Sequence, residues 1–134
     1  MPPKKRPPAK KIYVVEDDPI ILDYLETVLK SLKYKVSSSQ SGEGALEGIA
    51  RNGSDLVLLD VMLPDVDGIT LCRHLRQDRR TRDIPVIMLT CLTDSSTIRN
   101  AYAHGAVDFI PKPFSQAILK EKIKKALLTK HPVS

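Results

Sequence analysis

The sequence predicts an α/β fold, a doubly wound (βα)5 three-layer sandwich whose five-stranded parallel sheet runs in the order 2-1-3-4-5. Three observations predict it. Short apolar runs alternate strictly with segments whose apolar residues recur every three or four positions, five of each, which is the signature of strands crossing over through helices. The runs at 12–15, 55–59 and 85–89 are apolar almost throughout, as strands covered on both faces must be. Most runs then stop at a charged or hydroxyl residue with proline or glycine close behind, so the loops gather their polar groups at one edge of the sheet.

In chain order, residues 1–10, M-P-P-K-K-R-P-P-A-K, are too rich in proline for helix or strand and read as a disordered basic tail. Ile12-Tyr13-Val14-Val15 is the first strand, ending in Glu16-Asp17-Asp18 and Pro19. Asp18 suits an N-cap and Pro19 the first helical turn. The helix over 19–32 carries Ile21, Leu22, Leu25, Val28, Leu29 and Leu32 at helical spacing. Residues 34–36 form a short second strand, and Ser41 is expected to cap a helix through Arg51, closed by Asn52-Gly53.

The third strand, 55–59, delivers Asp60 to a loop broken by Pro64 and Gly68. A helix from Gly68 turns Leu71, Cys72 and Leu75 inward. Residues 85–89 form the fourth strand, ending at Thr90-Cys91. Asp94 or Ser95 caps a helix to His104, which Gly105 ends. The fifth strand, 107–110, runs into Lys112-Pro113-Phe114. The last helix, 115–130, places Ile118, Leu119, Ile123, Leu127 and Leu128 on one side, and 131–134 is a tail or the start of a linker.

The bulk composition narrows the function. The chain of 134 residues is one domain. Its net charge of +5 lies in the first eleven residues, because Lys4, Lys5, Arg6, Lys10 and Lys11 leave residues 12–134 with 16 charges of each sign. A globular part without net charge, with few aromatics and no Trp, is not expected to bind nucleic acid directly. No apolar run is long enough to span a membrane. Cys72 and Cys91, without a signal-peptide pattern, read as reduced, small apolar residues of a cytoplasmic protein. His74, His104 and His131 read as surface residues remote from the acids.

The strand order makes the first and third strands neighbours, so Glu16, Asp17, Asp18 and Asp60 converge. Clustered carboxylates need a cation or a raised pKa. Oxygen donors without sulfur or histidine favour Mg²⁺, which commonly takes a phosphate as a further ligand. Thr90 and Lys112, at the ends of the fourth and fifth strands, offer a hydroxyl and an ammonium to a phosphoryl group. Asp60 is then a candidate phosphoryl acceptor. Taken singly, Thr90 reads as a β-former, Lys112 as a loop charge and Phe109 as core. Their common position at one sheet edge is what argues for a site.

E-D-D-P after the first strand, D-V-M-L-P-D-V-D-G after the third, T-C after the fourth and K-P-F after the fifth together resemble the receiver domain of bacterial two-component response regulators, over residues 11–130. That resemblance implies the flavodoxin-like fold and the following roles. Asp60 is phosphorylated by a histidine kinase or a phosphotransfer protein. Asp17 and Asp60, with the Met62 carbonyl, bind Mg²⁺, and Glu16 reaches it through water. Thr90 and Lys112 hold the phosphoryl oxygens, and Thr90 and Phe109 switch together. The Lys112–Pro113 bond is cis. The fourth helix, fifth strand and fifth helix form the output face, for an effector or a phosphorylation-dependent homodimer. Cys91 departs from the smaller residue usual after the threonine.

Other readings lack their residues. An aspartate-nucleophile phosphatase of the haloacid dehalogenase type wants D-x-D, and Met62 fills the second position. A nucleotide or flavin module wants a glycine- or hydroxyl-rich loop where three acids stand. A degenerate receiver used only for protein contacts is expected to have lost an acid, the threonine or the lysine. The domain is therefore not expected to be an enzyme beyond its own phosphorylation and dephosphorylation. The sequence accommodates equally a single-domain regulator and part of a longer one. The resemblance also implies that Met62 and Leu92, two residues beyond Asp60 and Thr90, hold positions that tune attack by water on the phosphorylated aspartate, and here they offer no polar side chain to orient it. The phosphorylated form is expected to be long-lived, which the decay of protein-bound phosphate after donor removal measures; rapid loss contradicts it.

Overall fold

The computed structural model describes residues 8–92 and 94–129. Most of the basic tail, the tail at 131–134 and His131 lie outside the described residues. The elements are β1 (Lys11–Val15), α1 (Pro19–Ser31), β2 (Lys35–Ser39), α2 (Ala45–Asn52), β3 (Leu56–Asp60), α3 (Gly68–Gln77), β4 (Val86–Thr90), α4 (Ser95–Ala103), β5 (Asp108–Pro111) and α5 (Gln116–Leu128). All strand pairs are parallel, in the order β2-β1-β3-β4-β5.

Alternation along the strands sorts the core into two layers. Tyr13, Val15, Val57, Leu59, Val86 and Met88 face α2, α3 and α4. Ile12, Val14, Leu56, Leu58, Ile87 and Leu89 face α1 and α5. β3 and β4 are buried at every position, as strands with helices on both sides must be. β2 is an edge strand, partly exposed throughout.

α1 begins where the sequence places it. The Asp18 carboxylate accepts from the amides of Ile20 (2.9 Å) and Ile21 (3.4 Å), and Pro19 opens the first turn. Leu22, Leu25, Val28 and Leu29 form its buried stripe. Asp67, Asp94 and Ser115 cap α3, α4 and α5 in the same manner. α4 is anchored differently: Ala101 is its one buried residue. Its C-terminal end is instead gripped by α3, whose Cys72 thiol donates to the His104 carbonyl (3.5 Å) and whose Arg76 Nε donates to the Gly105 carbonyl (3.0 Å).

The structure corrects several local expectations. β2 runs on through Ser37-Ser38-Ser39, which carry no apolar signal, because pairing with β1 decides the strand. α2 starts at Ala45 rather than after a Ser41 cap; Gly44, with φ 75°, turns the chain in, and no side chain caps the helix. Asp60 is the last residue of β3, paired with Leu89, rather than the first of a loop. On α5 the buried face is Leu119, Ile123 and Ala126, whereas Ile118 and Leu128 are exposed. Both cysteines are free, but only Cys72 is core, its thiol pushed up to about 11 by burial; Cys91 lies just past the end of β4 and is exposed.

One contact fixes how α3 leaves the sheet. The Gly68 amide donates to the Val61 carbonyl (2.8 Å), and any Cβ at Gly68 would overlap the Asp60 carbonyl oxygen. Helix α3 thus starts directly on the backbone of Asp60. Gly68→Ala is expected to lower stability by about 2–3 kcal/mol, in the range for overpacking against a rigid neighbour. Urea unfolding measures this, and an unchanged midpoint would show that the backbone yields there without cost.

Candidate functional site

The sheet register builds the site. Val15 pairs with Leu59 and Thr90 with Pro111, so Glu16, Asp60, Thr90 and Lys112 all arrive at the carboxyl edge of the sheet. The glutamate is fully buried and the aspartate 5% exposed. Between them lies the ammonium of Lys112, with Nζ 2.5 Å from Glu16 Oε1 and 3.2 Å from Asp60 Oδ2. Backbone amides complete the cradle: Met62 N–H donates to Asp60 Oδ1 (3.1 Å) and Asp18 N–H to Glu16 Oε2 (3.2 Å). Each carboxylate therefore has one oxygen on an amide and one on the lysine. The Lys112–Pro113 peptide is cis.

Burial, and then the nearness of Asp60, push the Glu16 carboxyl above its ordinary value, against the pull of Lys112. For Lys112, burial alone would lower the ammonium, but its contacts with Glu16 and Asp60 hold it above its usual range. The lysine is therefore charged, and its cation is shared between two acids.

Asp17 stands at the exposed side of the crevice. Glu16, Asp17 and Asp60 each present a carboxylate oxygen, all within 4.8 Å of one another. This all-oxygen set, open on the Asp17 side, fits a hard divalent cation of the Mg²⁺ type. Asp18 is committed to capping α1 and stands apart. The Met62 side chain is 58% exposed.

Thr90 and Phe109 are brought close but not into the acid cluster. The Thr90 hydroxyl accepts from the Leu92 amide (2.8 Å), holding it to its own loop. Phe109 packs on the α2–α3–α4 layer, edge-on to Tyr102 (6.3 Å between centroids), under the Lys122 ammonium at 5.2 Å. His74 is exposed and His104 half-buried, its ring bonded to the Asn100 carbonyl; neither meets the acids.

The contacts of Asp65, in the loop after β3, are not legible in the sequence. Its carboxylate accepts from the amides of Gly42 (2.8 Å) and Glu43 (2.7 Å), tying the loop after β3 to the loop after β2. Nothing in the spacing of P-D-V-D distinguishes this acid from its neighbours.

The family model of the response regulator receiver domain matches residues 12–124. The chain belongs to that family. Among curated relatives, the receiver domain is 36% identical over 117 residues to the DNA-binding dual master transcriptional regulator RpaA of Synechocystis, covering 87% of this chain and 48% of RpaA. It is 38% identical over 116 residues to the response regulator PleD of Caulobacter vibrioides, covering 87% of this chain and 26% of PleD. The chain thus spans half or less of these relatives. Among solved structures, it matches the BeF3-activated N-terminal receiver domain of Klebsiella pneumoniae RstA (37% identity, TM-score 0.83, 90% of this chain and 100% of that one). It also matches the receiver domain of the sensor histidine kinase PA1611 of Pseudomonas aeruginosa (30%, TM-score 0.84, 90% and 99%), which was solved with magnesium in its active-site cleft. Receiver domains of this family work with histidine kinases and effector domains, and bind Mg²⁺ at the acidic site.

Removing the shared cation tests the electrostatics. Lys112→Met leaves two buried carboxylates with their amide bonds but no compensating cation and is expected to cost about 3 kcal/mol of metal-free stability at neutral pH. Glu16, already raised in the fold, then favours its protonated form further. The deficit therefore grows as pH rises above the ordinary carboxyl range and shrinks in acid. Thermal unfolding across pH, with and without Mg²⁺, checks this; a variant as stable as wild type at pH 7 would contradict it.

Proposed function

We propose that Asp60 accepts a phosphoryl group from a histidine kinase or histidine phosphotransfer protein, and that the receiver domain then changes conformation to control an effector. The observation that carries this reading is the Lys112 ammonium, held between Glu16 and Asp60 at the crevice that Asp17 opens to solvent. A cation shared by two acids sits where a third anionic group has to be received.

An Asp60 oxygen attacks the phosphorus in line; a P–O bond forms, the bond from phosphorus to the donor nitrogen breaks, and the leaving imidazole takes a proton from solvent. Asp17 and Asp60, with the Met62 carbonyl, would hold Mg²⁺ directly and Glu16 through water. Mg²⁺ supplies charge neutralisation on the phosphoryl oxygens. Lys112 shifts its share of charge from Glu16 to the phosphoryl group, and the Met62 amide keeps the Asp60 carboxylate in orientation. Met62 stands where an aspartate-nucleophile phosphatase carries its second acid, and on this reading the domain catalyses only its own phosphorylation and dephosphorylation.

The switch follows from the Thr90 contact. Turning its hydroxyl to the phosphoryl oxygens gives up the bond from the Leu92 amide and frees that loop. Phe109 then reorients beside it, altering the face built by α4, β5 and α5. On that face Lys122 bonds Asp108 (2.9 Å) and the Phe109 carbonyl (2.9 Å). This connected surface suits a protein partner or a phosphorylation-dependent homodimer. The phosphodonor protein docks on the other side of the crevice, where a cavity of about 500 Å³ beside Lys112 is walled by Ile20, Tyr24 and Phe114, with Ile20 80% exposed. Two unpaired thiols suit a cytoplasmic protein. DNA binding, as in RpaA, would belong to a part outside this domain.

Incubation with Mg²⁺ and acetyl phosphate is expected to add one phosphoryl group to the intact mass. Asp60→Asn and removal of Mg²⁺ with EDTA should each abolish the gain. A wild-type protein that gains no mass overturns the proposal.

A further inference from the structure

We infer that Asp65 is a positioning residue for the Mg²⁺-dependent reaction, acting by pinning the tip of the loop between β3 and α3; this rests on the phosphoacceptor reading above. The loop, residues 61–67, is short and heavily constrained at its base. Val61 N–H donates to the Leu89 carbonyl (3.1 Å), continuing the sheet, and Gly68 N–H donates back to the Val61 carbonyl (2.8 Å). Met62 bridges Asp67 across the loop in antiparallel fashion. These bonds fix where the loop starts and ends.

The tip is held from outside. Asp65 is exposed, yet its two oxygens take the consecutive amides of Gly42 (2.8 Å) and Glu43 (2.7 Å), one each. Chiefly the Gly42 amide, and then that of Glu43, hold the Asp65 carboxyl below its ordinary value, so it is ionised at neutral pH. Charge-assisted bonds of this kind are about twice as strong as neutral ones. The two loops also touch: a Cβ at Gly42 would overlap Val66 Cγ1, so glycine is what permits the approach. Asp65 therefore joins the loop after β3 to the loop after β2.

Met62 is the connection to chemistry. It lies three residues before Asp65, its amide orients Asp60, and its carbonyl is the backbone oxygen assigned to the metal. If the tip is released, the Met62 peptide loses its outer constraint, while Asp60 keeps its contact with Lys112 and Glu16 its contacts with Lys112 and the Asp18 amide. The expected signature is weaker Mg²⁺ binding with intact chemistry once the metal site is full. Partners that orient metal ligands typically count for 10–100-fold in affinity. Asp65 acts one step further out, so a loss of about threefold to tenfold in Mg²⁺ affinity is expected.

Asp65→Ala and Asp65→Asn test this in the full chain, by titrating Mg²⁺ against backbone amide NMR shifts and by acetyl phosphate phosphorylation rates across Mg²⁺ concentrations. Support is weaker Mg²⁺ binding for Asp65→Ala, a smaller loss for Asp65→Asn, and rates within about twofold of wild type at saturating Mg²⁺. Faster hydrogen exchange at Gly42 and Glu43 shows the clasp open. A lowered melting temperature with unchanged Mg²⁺ affinity, or equal rates at every Mg²⁺ concentration, overturns the inference and leaves a structural clasp. Wild-type protein that neither binds Mg²⁺ nor gains phosphate overturns instead the reading on which it rests.

Discussion

Glu16 and Asp60 are carboxylates buried side by side, and the charge they share is the constraint to which the rest of the structure answers. Taking an ionised carboxylate out of water costs several kcal/mol unless partners compensate. Lys112 provides the compensating charge and two backbone amides provide the remaining bonds. That arrangement needs three separate strands to end at one level. A parallel sheet with β1 beside β3 delivers two of the groups, and β5, two strands over, delivers the lysine. The packed layers on either side of the sheet hold those strand ends in register, so the hydrophobic core serves the charge cluster at its edge.

The compensation is sufficient without being saturated. Asp17 remains at the open side with an oxygen near those of its neighbours, and the Thr90 hydroxyl is occupied by its own loop. A phosphoryl group received here, as proposed, meets positive charge already placed and a hydroxyl held only by local bonds with Leu92. In the function proposed here, phosphorylation exchanges these partners for phosphoryl oxygens, and a small covalent change of that kind biases a two-state element.

The fold and the acid cluster were legible because both rest on strong, simple signals. The runs ending at Val15, Leu59 and Leu89 could only be strands covered on both faces, and the parallel order then placed Glu16 next to Asp60. Side-chain caps were readable where an acid stood just ahead of an apolar stripe, as at Asp18 and Asp94. What was not legible depends on tertiary context. The serines of β2 are a strand because β1 offers them hydrogen bonds, and Gly44 starts α2 because a backbone turn replaces a cap. Ile118 and Leu128 look like core but fall outside the buried stripe of α5. Asp65 is invisible for the same reason: its partners are backbone amides, which every residue but proline carries, so no residue type marks them.

Helix α4 buries a single alanine, whereas α1 buries four residues and α3 five. Its hold on the domain is concentrated at one end, where Cys72 and Arg76 grip the carbonyls of His104 and Gly105. Local stability follows buried apolar contact, so resistance to displacement rises along α4 from first turn to last. The helix is a hinged arm whose pivot lies far from the crevice and whose loose end lies just past Leu92, beside Thr90. An arm of that build turns a small force at its free end into a large angular change, and moving it forfeits little hydrophobic energy.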